Sequence, residues 1–433
     1  MRGHWSNPAL QVIGMYMKVP YSTQFPGIGG RIKYRYADFI VEVIFSETKV
    51  CEVKRFAKEG ESFPLTAIPE KESGKEHLHC DLEKINKDLN FVIKKMARFI
   101  HCSKKRIGYS GLKDKRGVTC QRISFFSPHI EAVKNFHSRG IELRNPSWEK
   151  DRIELGTHKG NRFTIIIRNI AGEKKELKKR VEEALTEMEK EGIANFFGEQ
   201  RFGGMRNITH LVGKDIVHGR FEQAVTRYLT SSFPKEKEEI KEARNHLSTT
   251  QDYAKALKAF PQECQFERAL CNHLNKNPND FVGALGVFPK NMRYLFTHAY
   301  QSYLFNRIIE KRLSTGIGLK RTNGDILIDS NPTAPLYGYS SEHATGTPGE
   351  IETEILEEEG VSRELFKVKE MPELSSTGTR KSIVLTPKNA QLISIEADEY
   401  FPEKRALTIR FDLPKGTYAT TLVRELIKEG EHA

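Results

Sequence analysis

Residues 160–170, GNRFTIIIRNI, constrain the fold of this chain more than any other stretch. The unbroken Ile165-Ile166-Ile167 run is typical of a strand at the centre of a sheet, where strict alternation is lost. In DFIVEVIFS (38–46), Phe39, Val41, Val43 and Phe45 alternate with Asp38, Ile40, Glu42 and Ile44, which predicts a strand with one apolar face. VTCQRISFF (118–126) is a third strand, its apolar phase shifting between Cys120 and Ile123; a bulge or burial on both faces explains the shift. Leu407, Ile409, Phe411 and Leu413 alternate near the end of the chain. There PKG turns the backbone and Thr417 is placed to cap a helix carrying Ala419, Leu422, Val423, Leu426 and Ile427.

Helical spacing joins Leu89, Val92, Ile93, Met96 and Ile100, with Asn86 or Asp88 as the cap. A charged helix with the stripe Leu177, Val181, Leu185 and Met188 is closed by Gly192. NFFGEQRFGG (195–204) is too rich in glycine to be regular. From about 205 to 385 the texture turns more helical, as in PKEKEEIKEARNHL and HAYQSYLFNRIIEKRL, with a turn-rich stretch at 329–349. At 433 residues the chain exceeds the size at which a single core keeps growing. The order of elements predicts an α+β chain whose two ends build one domain around an insertion.

The 69 Lys and Arg against 57 Asp and Glu leave a net charge of +12, which suggests a polyanionic partner, most often nucleic acid. The excess is concentrated in Lys104, Lys105, Arg106, Lys113, Lys115, Arg116 and Arg122, opposed locally by Asp114 alone. No apolar run approaches the ~20 residues of a membrane helix, and MRGHWSNPAL lacks a signal-peptide core. A cytoplasmic protein is expected, with no membrane association. Two His/Cys clusters (His77, His79, Cys80, His101 and Cys102; Cys264, Cys271 and His273) lack the CxxC pairs of a zinc site, and no metal is expected. GxSxG, HExxH, DxDxDG and Walker A patterns do not occur, GIGG at 27–30 has neither nucleotide-loop spacing, and nothing argues for a cofactor.

The chemistry centres on GYSGLKDKRGVTCQRIS (108–124). Asp114 is either a salt-bridged turn residue or a carboxylate nucleophile that Lys113, Lys115 and Arg116 keep ionised. The same cations suit phosphate contacts, and Gly108, Gly111 and Gly117 allow the backbone to approach a ligand. Phe163 or Tyr418 offers a flat face to an extruded base, and Asn161 a polar group for its edge; core packing is the alternative for each.

The loop GYSGLKDKRGVTCQ resembles the nucleophile motif of the TruD family of tRNA pseudouridine synthases, roughly G-x-K-D-x-x-A-x-T-x-Q. DFIVE (38–42), KGNRF (159–163), NFFGEQRFG (195–203) and LPKGTYATTLVREL (413–426) are similar to four further motifs of that family, in the same order. The resemblance implies a pseudouridine synthase fold on a mixed, mostly antiparallel sheet, at 1–191 and 386–433, with an inserted α/β TRUD domain at 192–385. It implies Asp114 as the catalytic aspartate and Phe39, Asn161, Phe163 and Tyr418 around the uridine. Lys113 then lies beside the nucleophile, and Lys115, Arg116, Gln200 and Arg201 belong to the RNA-binding set. The substrate is tRNA, characteristically at uridine 13, with no cofactor, metal or obligate protein partner. HAYQSYLFN resembles the archaeal branch. Three departures stand out. Gly117 replaces a usual alanine and is expected to loosen the loop. Val43 replaces a frequent glutamate, whose role passes to Glu42 or is absent, and Leu89 replaces a common threonine.

Overall fold

A computed structural model describes residues 19–58 and 60–428. They divide into two compact units, one of 23–193 with 385–428 and the other of 194–384 with 19–22.

The first unit is built on a nine-stranded sheet. Its strands are β1 (Phe39–Ser46), β2 (Lys49–Val50), β3 (His77–Ile85), β4 (Ile107–Tyr109), β5 (Val118–Phe126), β6 (Ile141–Glu149), β7 (Gly160–Ile170), β8 (Lys388–Ala397) and β9 (Arg405–Pro414). The order is β8-β9-β7-β1-β5-β3-β6, with β2 beside β1 and β4 beside β5. Only β1 and β5 run parallel in this sheet; the remaining pairs are antiparallel, so the sheet is mixed and mostly antiparallel. Strand β7 has neighbours on both sides, but its isoleucine run is not sealed on both faces: Ile165 and Ile167 are buried and Ile166 is half-buried. Strand β5 is covered on both faces up to Phe125, and its register with β3 runs without a shift, so two-sided burial and not a bulge breaks its phase.

The three longer helices of this unit cover the sheet. In α1 (Leu89–Phe99), Asp88 is the cap, accepting a hydrogen bond from the Phe91 N–H at 3.1 Å. Leu89, Val92, Ile93 and Met96 then pack in one cluster with Leu78, Cys80 and Leu82 of β3 and Ile123 and Phe125 of β5. Helices α2 (Lys174–Glu191) and α3 (Ala419–Ile427) share a second cluster with Phe39, Phe163, Ile165, Ile167 and Phe411. Gly192 ends α2 with a positive φ of 73°, which favours glycine. The cap of α3 is Tyr418; the Thr417 hydroxyl instead donates to the Pro414 carbonyl at 2.7 Å, closing the turn and leaving the helix to start one residue later than expected.

The second unit is mostly helical and carries a small antiparallel sheet of Leu327–Ile328, Asn331–Leu336 and Thr379–Ser382. Asn331–Leu336, inside the stretch expected to be turns, is the middle strand of the three. Pro332 and Pro335 give it a turn-like composition, yet their partners across the sheet, Leu327 and Arg380, are in regular register. NFFGEQRFGG is irregular except for one 3-10 turn at Glu199–Phe202.

Candidate active site

Asp114 lies in the irregular segment between β4 and β5, which is pinned at three carbonyls. The Gly156 N–H bonds the Ser110 carbonyl at 2.8 Å, the Lys84 ammonium the Asp114 carbonyl at 2.7 Å, and the Asn86 N–H the Gly117 carbonyl at 3.1 Å. Gly117 sits so close to β1 that an added Cβ would be 2.6 Å from the Phe39 carbonyl oxygen. The glycine therefore seats the loop and does not loosen it. Gly108 is likewise pressed against the Ile153 carbonyl and the Ser124 hydroxyl, so both residues permit contact with the protein and not with a ligand. Gly111 alone has ordinary space, with the Lys113 ammonium and the His158 ring as neighbours.

The Asp114 side chain is 40 % exposed, and its Oδ1 is 3.6 Å from Nζ of Lys33. That ammonium is also 4.0 Å from the centroid of the Phe39 ring, so one cation joins the acid to an aromatic face. Lys33 holds a left-handed backbone (φ 57°), a conformation that is uncommon for a side chain of this kind. Burial pushes the Lys113 ammonium down to about 8 against the opposing pull of Asp114. It does the same to Lys84, also to about 8. His158, buried beside Lys113, is pushed down to about 4 by burial and then by the lysine charge, and is neutral at pH 7. Lys115 and Arg116 stay exposed.

Phe39 and Phe163 are both buried, with ring centroids 6.1 Å apart, and Phe163 stacks on Phe411 at 5.6 Å. Asn161 shares the inward face of β7 with Phe163, and its Oδ1 has no partner among the described residues; the Thr119 hydroxyl and both ends of the Gln121 amide on β5 are unpartnered too. Tyr418 is 44 % exposed. Gln200 and Arg201 belong to the second unit. Gln200 is exposed, while the Arg201 guanidinium donates to the Ser302 hydroxyl at 2.9 Å and lies 5.4 Å from the Phe197 ring.

Several sequence expectations change. Arg122, counted among the local surface cations, is buried and paired with Asp81 at 2.9 Å, because strand alternation turns it inward opposite that acid. Glu42 is spent on structure: it accepts the Val53 N–H at 2.8 Å, and burial raises its carboxyl. Val43 and Leu89 are core residues. Lys33 and Lys84 are the site residues that the sequence reading missed. Lys84 had left a signal, since it continues the inward series Leu78, Cys80, Leu82 in place of an apolar side chain. Lys33, about eighty positions before Asp114 in an irregular segment, left none.

The first unit thus offers a partly exposed carboxylate, one cation at contact distance, an aromatic face beyond it and partnerless polar groups on the strands beside β1. That set can present a nucleophile or a proton acceptor to a neutral ring on a polyanionic chain. Among the described residues no group of three or more His, Cys, Asp and Glu could hold a metal ion, and no helix is long and apolar enough to cross a membrane.

Comparison with known proteins points the same way. The sequence matches the family described as tRNA pseudouridine synthase D (TruD) over residues 15–333 and 328–426. A probable tRNA pseudouridine synthase D of Methanococcoides burtonii is 37% identical over 441 residues, covering 94% of this chain and 95% of its own. One from Methanosarcina mazei is 38% identical over 444 residues, with 94% and 95% covered. A crystal structure bearing the name tRNA pseudouridine synthase D (TruD), from Methanosarcina mazei, superposes with a TM-score of 0.78 at 34% identity, over 96% of this chain and 99% of that one.

Proposed function

The chain belongs to the TruD family of tRNA pseudouridine synthases, and on that premise we propose that it isomerises uridine 13 of tRNA with Asp114 as the nucleophile. The bond between N1 of uracil and C1′ of ribose breaks, the freed base turns, and C5 bonds to C1′. C5 gives up its hydrogen and N1 takes one, so atoms balance and nothing is oxidised. Asp114 acts on the sugar carbon, on the base, or on a sugar proton, and each of these needs its ionised form. The observation that carries this reading is the Asp114 carboxylate, 40 % exposed and 3.6 Å from a lysine that also lies over Phe39.

Residues 1–191 and 386–433 form the catalytic domain in this reading, and 192–385 the inserted TRUD domain. Uridine reaches Asp114 flipped out of the stack, at a cost of a few kcal/mol that RNA contacts offset. Lys113, Lys115 and Arg116 supply such contacts around the loop, and Gln200 and Arg201 supply them from the inserted domain. Phe39, Phe163 and Tyr418 hold the ring and Asn161 meets its edge.

Release of tritium from 5-labelled uridine in tRNA measures turnover directly. Asp114→Asn is expected to abolish release while tRNA binding persists, and undiminished release would sink the nucleophile assignment. Mapping pseudouridine in tRNA treated with the protein checks the position; a new pseudouridine elsewhere, with none at 13, would remove that part of the proposal.

A further inference from the structure

Lys84 is the penultimate residue of β3, on the face that Leu78, Cys80 and Leu82 fill with apolar side chains, and it is 0 % exposed. Its ammonium donates to a single described acceptor, the main-chain carbonyl of Asp114, at 2.7 Å. Among the described residues no carboxylate oxygen lies within 4.0 Å of it. Burying a cation against one neutral acceptor is costly, and an apolar side chain of similar volume would stabilise this face better. Stability therefore does not account for a lysine here.

Position does. The two other pins of the loop, at Ser110 and Gly117, are made by main-chain N–H groups at its ends. The pin at its centre is a side chain, and it falls on the peptide of the proposed nucleophile. We propose that Lys84 is a positioning residue for the reaction, fixing the Asp114 peptide and through it the direction of the carboxylate; this rests on the reading of Asp114 given above. Lys84 does not touch the substrate. Besides Asp114, the charged groups that act on it are Asp88 at the start of α1 and Lys113 on the loop. Lys33 reaches the Asp114 carboxylate itself. The two lysines thus divide the work: Lys33 meets the side chain and Lys84 holds the backbone.

The test compares Lys84→Met, Lys84→Gln and Asp114→Asn in the full-length protein, with kcat, tRNA affinity and thermal midpoint measured for each. Lys84→Met is expected to lose about 100-fold in kcat, with tRNA affinity held and the midpoint equal or higher. Lys84→Gln keeps an N–H donor and is expected to recover about tenfold over the Met variant. A Met variant with wild-type kcat would overturn the proposal. So would one that unfolds, or that loses kcat and midpoint together, because either marks a structural lysine. If Asp114→Asn still turns over, the nucleophile reading is what fails; if it is inactive while Lys84→Met is unimpaired, only the role given to Lys84 falls.

Discussion

Gly117 shows how much one hydrogen atom in place of a methyl group decides in this loop. The space that a Cβ would need is taken by the Phe39 carbonyl oxygen, 2.6 Å away, on a strand held between β5 and β7. Alanine can enter only if the loop shifts by a fraction of an ångström. Gly117→Ala is expected to cost about 1–3 kcal/mol in stability by overpacking. A displacement of that size at Asp114 is worth about tenfold or more in kcat. Denaturant melts and tritium-release kinetics on the one variant check both, and an unchanged kcat would show that the loop absorbs the methyl group without moving the acid. Asp114 itself was legible in the sequence as an acid among cations, but its partner was not. The cation at 3.6 Å is Lys33, and no local pattern connects residues so far apart.

At the scale of the element, β3 carries one of the two missed residues and half of a pH signature. Alternation places Leu78, Cys80, Leu82 and Lys84 on one face, so the inward lysine could be read from the strand alone. What it binds could not, because the loop meets it only through the antiparallel pairing of β3 with β5, which sets Lys84 opposite Thr119. Lys84 and Lys113 both titrate near 8 in the folded chain against 10.5 when unperturbed, chiefly because burial disfavours the charge. Below pH 8 both states hold these protons, and folding bears the full cost of two desolvated cations. Between 8 and 10.5 the unfolded chain holds more protons than the folded one, so this pair adds stability as pH rises. Lys84→Met with Lys113→Met is therefore expected to exceed the wild type in thermal midpoint at pH 7, and to lose that advantage by pH 10.5. A constant difference across the range would show that neither lysine is held near 8.

Across the whole molecule, the net charge of +12 bears on affinity for RNA more than on fold. Each exposed cation that meets a phosphate adds to the salt dependence of binding; each buried one, such as Arg122 on Asp81, adds nothing. Lys115 and Arg116 are exposed beside Asp114 and are the local cations best placed to act on RNA. Replacing both by Gln is expected to lower the slope of log Kd against log salt by about 1 to 2. Filter binding over a salt series reads the slope, and an unchanged value would remove these two from the interface.

The periodicities along the chain were sufficient for the strands β1, β5, β7 and β9, the helices α1 and α2, and the mixed α+β character, because apolar spacing reports directly which faces are covered. They were misleading where composition and conformation part company, as in Asn331–Leu336, whose prolines belong to a strand. The order of strands, with β5 parallel to β1 between antiparallel neighbours, required the tertiary structure. So did the ion pair from Lys33 and the carbonyl bond from Lys84, which join residues 81 and 30 positions apart. A sequence records the preference of each residue for burial and for turning. Which buried group faces which is decided only when distant segments are brought within hydrogen-bonding distance, and the surroundings of Asp114 are made almost entirely of such meetings.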